Sequence, residues 1–332
     1  MHHLSRNDIQ AYLEGRNDEA LFALAAAEKK RVFGNDIFIR AVIEFSNHCN
    51  KRCQYCGLRS PNKEVARYRM PIETMLDAAE IATQNEVGTI VLQSGDDFRY
   101  TTEDIGELVK RIRERHDVAI TLSVGDRGID EYAYWKDCGA DRCLVKLETT
   151  DSDLYAQYRM GESFSQRLER VDALRKQGYE VGSGIIVGLP GMNVETTLND
   201  ILFLSNLDLD MIAAGPFVPN PLTPFANDNP GSISLSHRVT ALLRLLNPGS
   251  NIPATSALTA LRHESQGEAL LRGCNVLMPS MTPEEHRRDY NIYPGKNRTH
   301  ATATASLAAA RNTIESLGLV PSSSKGFSKR IK

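Results

Sequence analysis

"DIFIRAVIEFSNHCNKRCQYCG", residues 36 to 57, runs from an apolar segment straight into three cysteines, Cys49, Cys53 and Cys56. The first half is rich in β-branched and aromatic residues and reads as a strand, and the second half reads as a polar loop. A strand that ends in a cluster of ligand-type side chains places chemistry at its C-terminal end, as parallel α/β sheets do.

The same alternation continues outward from this stretch. Apolar runs at 36–45, 88–93, 118–124, 142–148, 182–188, 210–217, 252–258 and 274–279 give eight candidate strands. Between them lie helical patterns: Ile105, Leu108, Val109 and Ile112 share one face, as do Val239, Leu242, Leu243 and Leu246. "TTED" at 101–104 reads as a capping box opening the first of these helices. Eight strands with intervening helices predict an α/β fold, a (β/α)8 TIM barrel whose active site gathers at the strand ends. The polar segments "SGDD", "GDR", "ETTD" and "GLPG" follow the second to fifth runs. This divides the chain into an N-terminal helical cap (1–35), a barrel (36–300), and a C-terminal helix with a Ser- and Lys-rich tail expected to be disordered (301–332).

Composition excludes other classes. The chain of 332 residues has 41% hydrophobic and 24% charged residues, with a formal net charge of -3, which argues against a nucleic-acid or membrane surface as partner. No apolar run approaches the ~20 residues of a membrane helix, and the first residues lack the apolar core of a signal peptide. Six unevenly spaced cysteines fit a reducing cytoplasm better than a disulfide framework. Cys138, Cys143 and Cys274 are scattered and expected in the core.

Three thiols at C-x3-C-x2-C can share an iron–sulfur cluster or a zinc ion. Structural zinc wants four closed ligands, and the fourth would have to be His48, directly beside Cys49, or a distant cysteine. Three ligands on a four-iron cluster leave one iron free.

With an aromatic, Tyr55, before the last cysteine, this motif resembles the radical S-adenosylmethionine (SAM) superfamily. The resemblance implies one [4Fe–4S] cluster on Cys49, Cys53 and Cys56, with SAM chelating the free iron. It also implies roles around the SAM molecule. Ser94, Gly95 and Asp96 would meet its amino group, Glu148 its ribose and Arg167 its carboxylate, with Tyr55, Ser123 and Pro216 completing the pocket and the turns of "VGLPG" (187–191) lying beneath the adenine. Read without the family, Arg167 is a solvated helix arginine.

Longer stretches, among them "IEFSNHCNKRCQYCGLRSPN", "EVGSGIIVGLPG", "GPFVPNPLTPFAN" and "YPGK", resemble the HydE family of [FeFe]-hydrogenase maturases over roughly residues 30 to 300. That family cleaves SAM reductively and directs a 5′-deoxyadenosyl radical at a small iron- and cysteine-containing precursor. The implied partners are a small-molecule or small organometallic substrate, an electron donor such as ferredoxin or flavodoxin, and other hydrogenase maturases. Lys146, Thr255, Ser256 and Tyr293 are the candidate substrate contacts.

The chain departs from the family pattern at Leu147, where a His is common, and at Ser256, where a second Thr is common. Arg298, Ser306 and Ala309 stand where many members carry cysteines for a second cluster, so only one cluster is expected. The alternatives are a methylornithine synthase-like or biotin synthase-like enzyme, or a non-catalytic iron–sulfur carrier, which would need no SAM pocket.

Overall fold

The structure, a computed structural model, describes residues 4–297 and 302–330. Arg298 and the expected barrel end at 300 lie outside the described residues. Among the described residues eight strands are present: β1 Asp36–Ser46, β2 Thr89–Ser94, β3 Ala119–Ser123, β4 Arg142–Leu144, β5 Glu180–Val187, β6 Met211–Pro216, β7 Val276–Leu277 and β8 Val320–Ser322. They form one parallel sheet in the order β6-β5-β4-β3-β2-β1-β7, with β8 added on β1.

The expected seventh strand at 252–258 contracts to two bridges. Asn251 pairs with Met211 and Pro253 with Val276, and Ile212 N donates to Asn251 O at 2.9 Å while Ala254 N donates to Val276 O at 2.9 Å. These contacts join β6 to β7 and bring the sheet round on itself. The run stops there because Pro253 has no donor to give and the chain turns into the helix Ser256–Leu261.

Side-chain alternation, period 2, sorts the barrel into inside and outside. Along β1, Ile37, Ile39, Ala41, Ile43 and Phe45 pack into the main hydrophobic core under the helices, whereas Arg40 and Val42 face an internal cavity. The same parity puts Val91 and Gln93 of β2, Thr121 and Ser123 of β3, and Leu144, Lys146 and Glu148 at and after β4 inside. Ile90, Leu92, Ile120, Leu122, Cys143, Val145 and Leu147 point into the helix layer. Each of these buried aliphatic side chains contributes on the order of 1.5–3 kcal/mol.

The outer helices form as their sequences require. Thr101 caps Thr102–Arg115 reciprocally with Asp104, and Ile105, Leu108, Val109 and Ile112 are its buried face. The N-terminal helices Arg6–Leu13 and Asp18–Phe33 flank the barrel wall: Arg238 on Ile233–Leu246 pairs with Asp18 at 2.7 Å. Cys138, Cys143 and Cys274 are buried, free thiols.

The tail is not disordered in its described part, which corrects the sequence expectation. After the helix Ala303–Ser316, β8 pairs with Asp36–Phe38 and residues 325–330 cross the N-terminal end of the barrel. Lys325 O accepts from Thr89 Oγ1 at 2.9 Å and Arg142 Nη2 at 2.6 Å. Ser328 donates from its N to Glu180 Oε1 and from its Oγ to Asp210 Oδ1, both at 2.6 Å. Composition predicted disorder because the segment has little apolar surface; polar groups on the barrel end supply its partners instead.

A candidate SAM and cluster site

One internal cavity of about 370 Å³ opens at the C-terminal ends of the strands. Its wall carries Cys49, Cys53, Cys56 and Tyr55 from the loop after β1, then Ser94, Gly95, Asp96, Ser123, Glu148 and Pro216 from the following strand ends. Lys146, Thr255, Ser256 and Tyr293 also face it. Of the residues singled out in the sequence for the cluster, SAM or substrate, Arg167 and the turns of "VGLPG" do not line this space.

The cysteine loop is held by close backbone contacts. Asn50 N donates to Asp96 O at 3.2 Å and Gln54 N to Tyr158 O at 2.8 Å. Gly95 lies so near the loop that a Cβ there would stand 2.2 Å from His48 O and 2.8 Å from Cys49 Cβ, a contact only glycine permits. Arg67 donates to the carbonyls of Asn47, Leu58, Arg59 and Asn62, tying the return of the loop to its start.

All three cysteines face the same cavity, and their soft thiolates suit an iron–sulfur cluster. In a cluster each thiolate meets its own iron, so the sulfurs need not converge on a point. Burial, with the Asp96 carboxylate nearby, pushes the Cys49 thiol up to about 11, and burial raises Cys53 and Cys56 as well. Iron would therefore displace protons from all three.

Next to the thiols sits a dense ionic group. Asp126 receives Arg167, with Lys51 at 3.3 Å, Arg159 at 3.4 Å and Arg170 at 3.5 Å. Burial opposes its charge, but these cations, Arg167 first, hold the Asp126 carboxyl below the usual carboxylate range. Lys51 also meets Glu162 at 2.8 Å and Asp96 at 3.6 Å. Arg167 stands one layer behind the wall, donating its Nε to Lys146 O at 3.0 Å. Of the cations around Asp126, Arg159 and Lys51 reach the cavity, and sequence reading missed both. Arg159 follows the helix Ser152–Tyr158 and Arg167 is in the next helix, Phe164–Lys176, and nothing in the spacing says which one faces inward.

Glu148 has a left-handed backbone, φ 69°, which costs a non-glycine residue on the order of 1–2 kcal/mol. Lys146 Nζ pairs with its Oε2 at 2.9 Å. A carboxylate on a cavity wall keeps further lone pairs that suit hydroxyl donors such as those of a ribose. Carbonyls of the β2 end are already engaged: Asp97 N and Ser94 Oγ both donate to Gly95 O, at 2.9 and 2.7 Å.

Another part of the wall is polar. Ser256 and Tyr293 hydrogen-bond to each other at 2.6 Å. Thr255 Oγ1 is buried without a partner, facing Gly215, where a Cβ would stand 2.3 Å away. Lys296, of the "YPGK" segment, faces the cavity and pairs with buried Glu44 at 3.0 Å. Leu147 is fully buried in the helix layer, so the departure there does not touch the cavity. The turns of "VGLPG" at Gly188 and Gly191 have φ of 79° and 92° but stand outside the cavity wall, which Ile186 and Phe217 form instead.

A barrel whose strand ends bring a C-x3-C-x2-C loop, an acidic side chain and paired cations to one cavity defines a radical SAM enzyme, and the profile of the Radical SAM superfamily matches residues 43–204. The chain is 42% identical to the [FeFe] hydrogenase maturase subunit HydE of Thermotoga maritima over 314 residues, covering 95% of this chain and 90% of that one. It belongs to the HydE family. It is also 26% identical to the 3-methylornithine synthase of Methanosarcina barkeri, over 98% of this chain and 92% of the relative. The crystal structure of methylornithine synthase (PylB) superposes with a TM-score of 0.86 at 25% identity, covering 97% and 95% of the two chains.

Proposed function

We propose that this chain is a cytoplasmic maturase that cleaves SAM reductively and uses the resulting 5′-deoxyadenosyl radical on a small iron- and cysteine-containing precursor of the [FeFe]-hydrogenase cluster. The observation that carries the reading is the convergence of the three thiols, Glu148, Arg159 and the polar Thr255–Ser256–Tyr293 group on one enclosed space. When bound on Cys49, Cys53 and Cys56, a single [4Fe–4S] cluster supplies one electron to the SAM sulfonium.

The protein's own groups bind, orient and enclose. Glu148 accepts from the ribose hydroxyls, and Arg159 and Lys51 neutralise the methionine carboxylate as charge-assisted donors. Arg167 acts through Asp126, which holds both of those cations in register. Lys146, Thr255, Ser256 and Tyr293 meet the substrate, and the closed wall keeps the reacting fragments in one geometry. Ferredoxin or flavodoxin fits as electron donor and another hydrogenase maturase as recipient of the product.

The test is anaerobic reconstitution with iron and sulfide, reduction with SAM, and quantification of 5′-deoxyadenosine with and without cysteine-derived iron complexes. Product that needs all three cysteines and rises with the iron complex supports the maturase. Cleavage indifferent to the iron complex would favour methylornithine synthase-like chemistry, and a bound cluster with no cleavage would favour a carrier.

A further inference from the structure

The cavity does not end on packed aliphatic side chains. Barrels of this kind are usually filled by layers of branched apolar residues, but here the inward residues near the N-terminal end are Arg40, Thr121, Asn251 and Met211, all on the cavity wall. Two of them are fastened to the C-terminal segment: Arg40 Nη2 donates to Gly326 O at 3.1 Å and Asn251 Nδ2 donates to the same oxygen at 3.0 Å. Arg40 Nη1 reaches Met211 Sδ at 2.8 Å. The innermost polar layer therefore owes its arrangement to a carbonyl from the chain's last described residues.

We propose that Lys325–Ser328 is a stopper that closes the barrel beneath the floor of the reaction cavity, with Gly326 as the positioning residue that fixes Arg40 and Asn251 as that floor. Gly326 suits this place sterically. Its φ is 56°, and a Cβ there would stand 2.7 Å from the Phe38 ring, so a side chain at 326 would force the segment outward. The stopper is seated by hydrogen bonds and by Phe327 against Arg142 at 4.5 Å, and Phe327 remains 44% exposed. Little apolar burial holds it, so its release leaves the aliphatic core beneath the helices intact. Without it, Arg40, Arg142, Glu180 and Asp210 would be hydrated and the barrel would open at both ends, admitting small reductants and hydrogen donors to a space that must exclude them. The inference concerns closure of the cavity and stands whichever substrate the enclosed space takes.

The experiment places a reporter cysteine at each end of the cavity, Val42→Cys toward the floor and Ser123→Cys at the mouth, and follows carbamidomethylation by iodoacetamide with mass spectrometry. The cluster- and SAM-loaded full chain is compared with a chain ended after Ser324. Loss of the stopper is expected to raise labelling at 42 by about tenfold and to leave labelling at 123 unchanged, with far-UV circular dichroism preserved. A general loosening would raise both. Equal labelling at 42 in the two folded chains would overturn the proposal. If the shortened chain does not fold, Gly326→Val in the full-length protein decides by the same readout: selective exposure of position 42 supports the stopper, and unchanged protection overturns it.

Discussion

Glu148, Arg159 and Gly95 carry the site in three different ways, and each can be tested alone. Arg159 is the arginine of the Asp126 group that reaches the cavity, so Arg159→Ala is expected to weaken SAM binding by about 1.5–3 kcal/mol with the cluster retained. Arg167→Ala is expected to cost less affinity and more stability, because it leaves the buried Asp126 short of its nearest partner. Isothermal titration of cluster-loaded variants, beside denaturant unfolding, separates the two effects. Gly95→Ala would drive a Cβ into His48 O, an overpacking of about 1–3 kcal/mol. Its expected signature is a cysteine loop that takes up less iron in a chain whose circular dichroism is unchanged. The sequence made Glu148 and Gly95 legible, one as a carboxylate closing an apolar run and the other as a glycine beside an acid. It could not rank Arg159 above Arg167, since the choice depends on how two short helices turn against Asp126.

At the scale of elements, strand runs were readable wherever inward and outward faces alternate, as in β1 and β2, and least readable where pairing shrinks to the bridges at Asn251 and Pro253. The helix Ala303–Ser316 bears on cofactor content: Ser306 is engaged by Arg287 at 2.7 Å, and Ala309 is exposed. Reconstituted protein is therefore expected to hold about four irons and four sulfides per chain, with about eight of each contradicting the single-cluster reading. On Ile233–Leu246, His237 is buried between Phe22, Glu268 at 3.3 Å and the Arg272 and Arg262 guanidiniums. Burial, followed by the Arg272 charge, pushes it down to about 4 from 6.5. A proton is then taken up by the unfolded chain but not by the folded one as pH falls from 6.5 toward 4, so stability is lost across that window. This group alone should make the protein about 2 kcal/mol less stable at pH 5 than at pH 7. In His237→Gln that increment should vanish from urea midpoints measured at the two values.

For the molecule as a whole, the site draws residues from the length of the chain, from Arg40 to Lys296, so ligand binding and global folding are linked. SAM at about 100 times its dissociation constant should add about 2.7 kcal/mol to the stability of the cluster-loaded protein. Differential scanning fluorimetry should show little shift in Cys53→Ala, which lacks the iron that SAM chelates. The barrel was readable because its period is local, whereas the stopper was not, because a Ser- and Lys-rich strand gains order only from polar groups far away in sequence.

The alternation along β1 from Ile39 to Ile43 has one more consequence. Residues that meet the helices and residues that meet the cavity occupy alternate positions, so the shell and the lumen can diversify independently. A library confined to positions 42, 91, 121, 144, 186 and 213 would sample new reactions while leaving the main hydrophobic core beneath the helices in place, which makes this scaffold a natural starting point for directed evolution.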